Sequence, residues 1–234
     1  MNPEDTTDAA KDAVLDAALA HVPFDGWSET TFRAAIASSG VADALARALF
    51  PRGAVDLAIA YHRRGDRMMT ERLAATDMAA MRYRDRVAFA IKTRLEVAGD
   101  KELVRRGSTL FALPHHAGDG ARLIWGTADA VWKALGDTSA DLNWYTKRAT
   151  LSGVYGATVL FWLGDDSTGQ QATWDFLDRR IEDVMRIETW KAKLRDNPVA
   201  KAVNPSRFFS WVRPPAMPDD LPGYRNPDRP NPFR

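Results

Sequence analysis

Residues 136–166, GDTSADLNWYTKRATLSGVYGATVLFWLGDD, join a polar, aromatic helix start to a long apolar helix that contains no catalytic group. Asp137, Thr138 and Ser139 offer N-cap oxygens just after Gly136, and the apolar run ends at Leu163, before Gly164 and two aspartates stop it. Asp141, Trp144, Tyr145 and Arg148 fall at i, i+3, i+4 and i+7, so all four project from one helix face. That spacing fits two arrangements, core aromatics beside a surface ion pair or an exposed patch with interface composition. The stretch Leu151 to Leu163 is shorter than the roughly 20 residues a membrane span needs and is expected to be a buried core helix. Gly153 and Gly156 within it imply the close approach of another helix, or room for a ligand.

Outward from this stretch nearly every segment carries helical periodicity, with no strand-type alternation and no Asn-Gly or Asp-Gly hairpin between apolar runs. The fold class expected is all-α. Helices are predicted at about 4–22, 29–38, 42–49, 52–79, 82–98, 100–112, 118–135, 140–163 and 168–189. The 234 residues suffice for a well-buried core, and the absence of cysteine excludes disulfides and thiol catalysis. His115 and His116 are adjacent and point to different sides of a helix, and no second His-x-x-x-His or Glu-x-x-His pairing exists, so no metal site is expected. His21 and His62 stand alone. No phosphate loop, dinucleotide fingerprint or nucleophile elbow is present, Asp165 and Asp166 read as caps for the next helix, and catalysis is not expected.

The first 60 residues pair an amphipathic helix, the turn PFDGWSETTF, a short helix RAAIASSG and the segment VADALARALFPRGAVDLAIAYH. This frame resembles the TetR-type helix-turn-helix domain, with Gly40 where the turn needs positive φ. The charges oppose DNA binding: residues 1–50 hold three Lys and Arg against eight acids, a net charge of −5. The helix that would read bases, Ala42 to Phe50, offers only Asp43 and Arg47 as polar side chains. No nucleic-acid partner is expected, and a ligand-responsive TetR-type transcriptional regulator is the alternative function.

The run GDTSADLNWYTKR, with WLGDDSTGQQATWDFLDRRIEDV downstream and ALPHHAGDGARLIWGTADAVWKALGD upstream, resembles the C-terminal domain of the ubiquinone (coenzyme Q) biosynthesis accessory lipid-binding protein family, over roughly residues 108–190. The resemblance implies a non-enzymatic homodimer without a cofactor that holds an isoprenoid, quinone or phospholipid and assists the demethoxyubiquinone hydroxylase at a membrane surface. It places the partner patch at Leu135, Thr138, Asp141, Trp144, Tyr145 and Arg148. For the lipid pocket the apolar residues Phe111, Leu123, Trp125, Val154, Leu160, Phe161, Trp174 and Leu177 are available, and they would serve equally as a filled core.

The organisation expected is a degenerate helix-turn-helix-like subdomain (1–60), a helical ligand-binding domain (61–189), a basic and aromatic segment (190–213) and a proline-rich tail (214–234). Between Arg186 and Arg213 seven Lys and Arg face two acids. Trp190, Leu194, Phe208, Phe209 and Trp211 would anchor this segment on a membrane, although Pro198 and Pro205 interrupt it and a solvated helix end packed on the domain is the other reading. The N-terminus, MNPEDTTDAAKDAVLDAAL, is acidic where a mitochondrial presequence is basic, which predicts a bacterial cytoplasmic protein peripheral to the inner membrane.

Overall fold

The computed structural model describes residues 3–139 and 142–196. Among them the order is α1 (Pro3–Leu19), α2 (Val22–Asp25), α3 (Glu29–Ser39), α4 (Asp43–Leu49), α5 (Ala54–Ala74), α6 (Tyr83–Glu96), α7 (Lys101–Phe111), α8 (Ala117–Ala134), α9 (Leu142–Leu163), a 3-10 turn (Thr168–Gln170) and α10 (Gln171–Asp196). No strand occurs among the described residues, and the protein is all-helical.

α1 packs across α3, and α1, α3, α4 and the start of α5 enclose one core. Val14, Leu15, Phe32 and Leu57 are fully buried there, each contributing about 2 kcal/mol through apolar burial. Ser28 caps α3 by accepting from the Thr31 amide at 3.2 Å, and Gly40 ends the helix at φ 71°, the left-handed conformation expected of the turn. On α4 the Arg47 Nε donates to both carboxylate oxygens of Asp43 at 3.1 Å, and Glu29 lies 3.8 Å away. The single cation of that helix is thus matched by two acids.

α5 runs about 30 Å and joins this core to a second one built from α5, α6, α8, α9 and α10. Met69, Leu73, Ile91, Leu95 and Trp162 lie at its centre. The helix predicted to reach residue 79 stops at Ala74, because Thr76 Oγ1 donates to the Arg72 carbonyl and Asp77 takes the Ala79 amide, local bonds that compete with another helical turn. Similarly, the first helix stops at Leu19, and Pro23 starts the separate one-turn α2. The expected domain boundary near residue 60 falls inside α5.

The apolar run of α9 is not buried all round. Leu151, Val154, Tyr155, Thr158 and Trp162 form its buried stripe, whereas Leu160 is 68% exposed on the opposite face. Asp165 then ties α9 to α10, accepting from the amides of Ser167 and Thr173, both at 2.9 Å, and from the Thr173 hydroxyl. These bonds hold its carboxyl well below the usual range. No described helix is long and apolar enough to cross a membrane.

Candidate functional site

The GDTS loop and the first two turns of α9 are locked together by charge. Gly136 takes φ 76° just after α8, turning the chain so that Asp137 points back at α9. Asp137 accepts from Lys147 Nζ at 2.7 Å and from Arg148 Nη1 at 3.1 Å, and Ser139 Oγ also accepts from Lys147 at 2.7 Å. Arg148 is 1% exposed, and its Nε donates to Asp129 of α8 at 2.6 Å. Burial pulls the Asp137 carboxyl up, but the bonds from Lys147, Ser139 and Arg148 outweigh it and hold it at about 2. Asp129 is lowered in the same way, with Lys133 and Arg148 prevailing over burial.

The lock presents an aromatic cluster. Trp144 and Tyr145 meet edge to face with ring centroids 4.7 Å apart, Trp125 of α8 lies 5.9 Å from Trp144, and the Arg148 guanidinium sits 4.1 Å over the Trp144 ring. Both Trp144 and Tyr145 are half-buried, Thr138 is exposed, and Leu135 is half-buried against the core. Of the residues proposed for the patch, Arg148 is a buried support beneath it, and Asp141 lies outside the described residues. Trp125, expected in the lipid pocket, belongs to this cluster.

A cavity of about 420 Å³ lies between α5, α6, α7, α8 and α9. Phe111, Leu123 and Leu160 line it, together with Trp27, Leu103, Val104, Ile124 and Val159. The other pocket candidates lie elsewhere. Val154 lines a smaller cavity of about 220 Å³ beside Trp132, Phe161 stacks on Phe176 at 4.5 Å, Trp174 donates to the Gly169 carbonyl, and Leu177 is sealed in the C-terminal core. The cavity lined by Phe111 also takes in Tyr61, His62, Arg94 and Tyr155, which the sequence did not connect, and Tyr61 and Arg94 also line a second cavity of about 420 Å³. The His62–Asp66 pair at i,i+4 was the available signal.

Of the expected membrane anchors, Phe208, Phe209 and Trp211 lie outside the described residues, as do the side chains of Trp190 and Leu194.

An all-helical fold with a helix-turn-helix-like front and a cavity in its rear half defines a TetR-like fold. The chain matches the crystal structure of the TetR transcriptional regulator from Nitrosomonas europaea with a TM-score of 0.61 at 20% identity, over 74% of this chain and 95% of that one, a likeness of fold alone. A family model described as COQ9 matches residues 117–188. The chain is 31% identical over 175 residues to the mitochondrial ubiquinone biosynthesis protein coq9 of Schizosaccharomyces pombe, covering 74% of this chain and 68% of that protein. It is 30% identical to the COQ9 proteins of Drosophila melanogaster and Homo sapiens, covering 77% and 74% of this chain and 57% of each relative. The chain belongs to the COQ9 family. It spans a little over half the length of these two relatives. Their names assign them to ubiquinone biosynthesis and state no reaction. Those names also overturn the expected bacterial cytoplasmic placement at an inner membrane, since the relatives are mitochondrial proteins.

Proposed function

We propose that this chain is a non-catalytic accessory protein of ubiquinone biosynthesis that holds an isoprenoid or quinone lipid and presents it to the demethoxyubiquinone hydroxylase at a membrane surface, working as a homodimer. The observation that carries this reading is the cavity between α5 and α9, apolar over most of its wall and bordered by the exposed Leu160. A polyprenyl chain gains about 0.8 kcal/mol for each CH₂ removed from water, so a soluble protein competes for it only by offering such a wall. The role in ubiquinone biosynthesis is carried over from the named relatives.

The Trp144–Tyr145–Trp125 cluster supplies a hot-spot composition for the hydroxylase to dock on. The matched charges of Arg47, Asp43 and Glu29 favour this reading over DNA recognition, which needs cations free to meet phosphates.

The test is mass spectrometry of organic extracts of the gently purified protein, with an unrelated TetR-type regulator extracted in parallel. Enrichment of a quinone or isoprenoid is expected, and an extract indistinguishable from the control refutes the lipid function.

A further inference from the structure

The cavity lined by Phe111 opens to solvent where Ala112, Ala117, Ala121 and Leu160 are exposed. Ala112 belongs to the α7–α8 connection, and Ala117 and Ala121 to the start of α8, so the width of the mouth is set by where that start stands. The backbone bonds there are local: His116 donates to the Leu113 carbonyl, and Asp119 and Gly120 donate to the His116 carbonyl. Gly118 and Gly120 lie in the same turn, and glycine holds a helix less well than any residue but proline. Gly120 is required by Phe111, whose Cβ would lie 2.8 Å from a methyl group there, whereas a methyl group at Gly118 would meet only the Arg122 guanidinium, at an ordinary 3.8 Å.

The helix-turn-helix-like front half holds both helices that meet at this mouth. On α7, the Leu103 carbonyl accepts from the Trp27 indole N–H at 3.2 Å, and Arg106 Nη2 donates to the Pro23 carbonyl at 3.0 Å. On α8, Asp119 accepts from Arg52 Nη1 at 2.8 Å. Arg52 lies in the turn between α4 and α5, where Asp56 fixes it by accepting from its amide at 2.8 Å and from its Nε at 2.9 Å. Among the effects on the Asp119 carboxyl, the bond from Arg52 is the largest and holds it below its ordinary range. Arg122 also donates to Asp119, at 2.7 Å, but from the same helix, so it cannot tie α8 to the front half.

We infer that the front half is a clasp on the cavity: the Arg52–Asp119 ion pair holds the first turn of α8 in place, and its release lets that glycine-weakened turn move and widens the mouth at Ala117 and Ala121. This gives the front half a task other than reading DNA. It controls the cavity of the proposed function and rests on that cavity taking an apolar guest. The Arg52 side chain is 51% exposed and that of Asp119 12%, so water competes for the pair and it opens readily, as a reversible catch must.

The test follows Nile red, a neutral apolar dye that brightens away from water, entering and leaving the full-length protein in stopped flow. Asp119→Asn and, separately, Arg52→Gln should speed uptake and release alike, by up to about fivefold, the scale of a partly exposed ion pair, and leave equilibrium affinity unchanged. Gly118→Ala, which stiffens the turn, should slow both rates, and Arg122→Gln should change neither. Amide hydrogen exchange over residues 113–121 should rise in Asp119→Asn and fall in Gly118→Ala. Unchanged dye rates and unchanged amide exchange in Asp119→Asn would overturn the clasp. Faster release with uptake unaltered would also overturn it, assigning the pair to the cavity wall. If no dye binds the unmodified protein, the lipid function fails, and amide exchange alone decides the clasp.

Discussion

Asp137 and Arg148 are bonded at 3.1 Å with each side chain only 2% exposed, so the acid of the loop and the base of the helix are buried together. Five residues of the GDTSADLNWYTKR run, Gly136, Asp137, Ser139, Lys147 and Arg148, are thereby spent on holding the run in shape. The run is a scaffold for Trp144 and Tyr145, which leaves those aromatics and the exposed Thr138 as the surface for the proposed docking.

Arg148→Met should therefore be a stability mutation. It strands Asp137 and Asp129 beside only Lys147 and Lys133, and removal of one member of a buried pair costs about 3 kcal/mol. Lys147→Ala, whose side chain is 37% exposed, should cost under about 1 kcal/mol. Urea titration of both variants checks the order, and a milder effect for Arg148→Met than for Lys147→Ala would contradict the lock.

Trp144→Ala removes a half-buried ring that meets Trp125, Tyr145 and Arg148, so a loss of about 1–2 kcal/mol in stability is expected. Affinity for the hydroxylase should fall more steeply, by about 2 kcal/mol or roughly thirtyfold, as for a central interface aromatic. Parallel melting curves and surface plasmon resonance separate the two effects. Unchanged affinity would move the docking face away from α9.

The half-buried His62 makes stability depend on pH in a defined window. Its folded-state value lies near 4, below the ordinary 6.5, so the unfolded chain takes up a proton first as pH falls. Stability is therefore full above about pH 6.5 and declines toward pH 4, by at most about 1.4 kcal/mol per unit. Asp137, held at about 2 instead of 3.8, withdraws its contribution only at still lower pH. Chemical denaturation between pH 7 and 4 should show a slope that His62→Gln flattens, and identical slopes in the two proteins would rule out the assignment.

Gly156 faces the cavity from α9, and a methyl group there would lie at an ordinary 3.9 Å from the Ile124 side chain. Gly156→Ala should stabilise the protein by about 0.5–1 kcal/mol by removing backbone freedom within a helix. Gly156→Leu should fill part of the cavity and lower lipid uptake at least severalfold. Lipid content measured after gentle purification, normalised to folded protein, decides this.

Helix positions were legible because apolar spacing, capping residues and glycine stops are local properties, and Gly40 and Asp165 do what their neighbours in sequence imply. The Arg148 lock was not, since it needs Asp129, nineteen residues away on another helix, to face the same side chain. The cavity was half legible. Residue type marked Phe111, Leu123 and Leu160 as apolar, but it could not say which apolar residues face a void, so Leu177 and Trp174 were grouped with them. Its inner end joins α5, α6 and α9, and only the folded chain brings His62, Arg94 and Tyr155 together.

α9 carries the aromatic cluster near its start and the cavity wall, from Tyr155 to Leu160, toward its end. From residue 144 to residue 160 is a rise of about 24 Å along one unbroken helix. The hydrogen-bonded backbone between them therefore holds the aromatic cluster and the cavity wall at a fixed spacing.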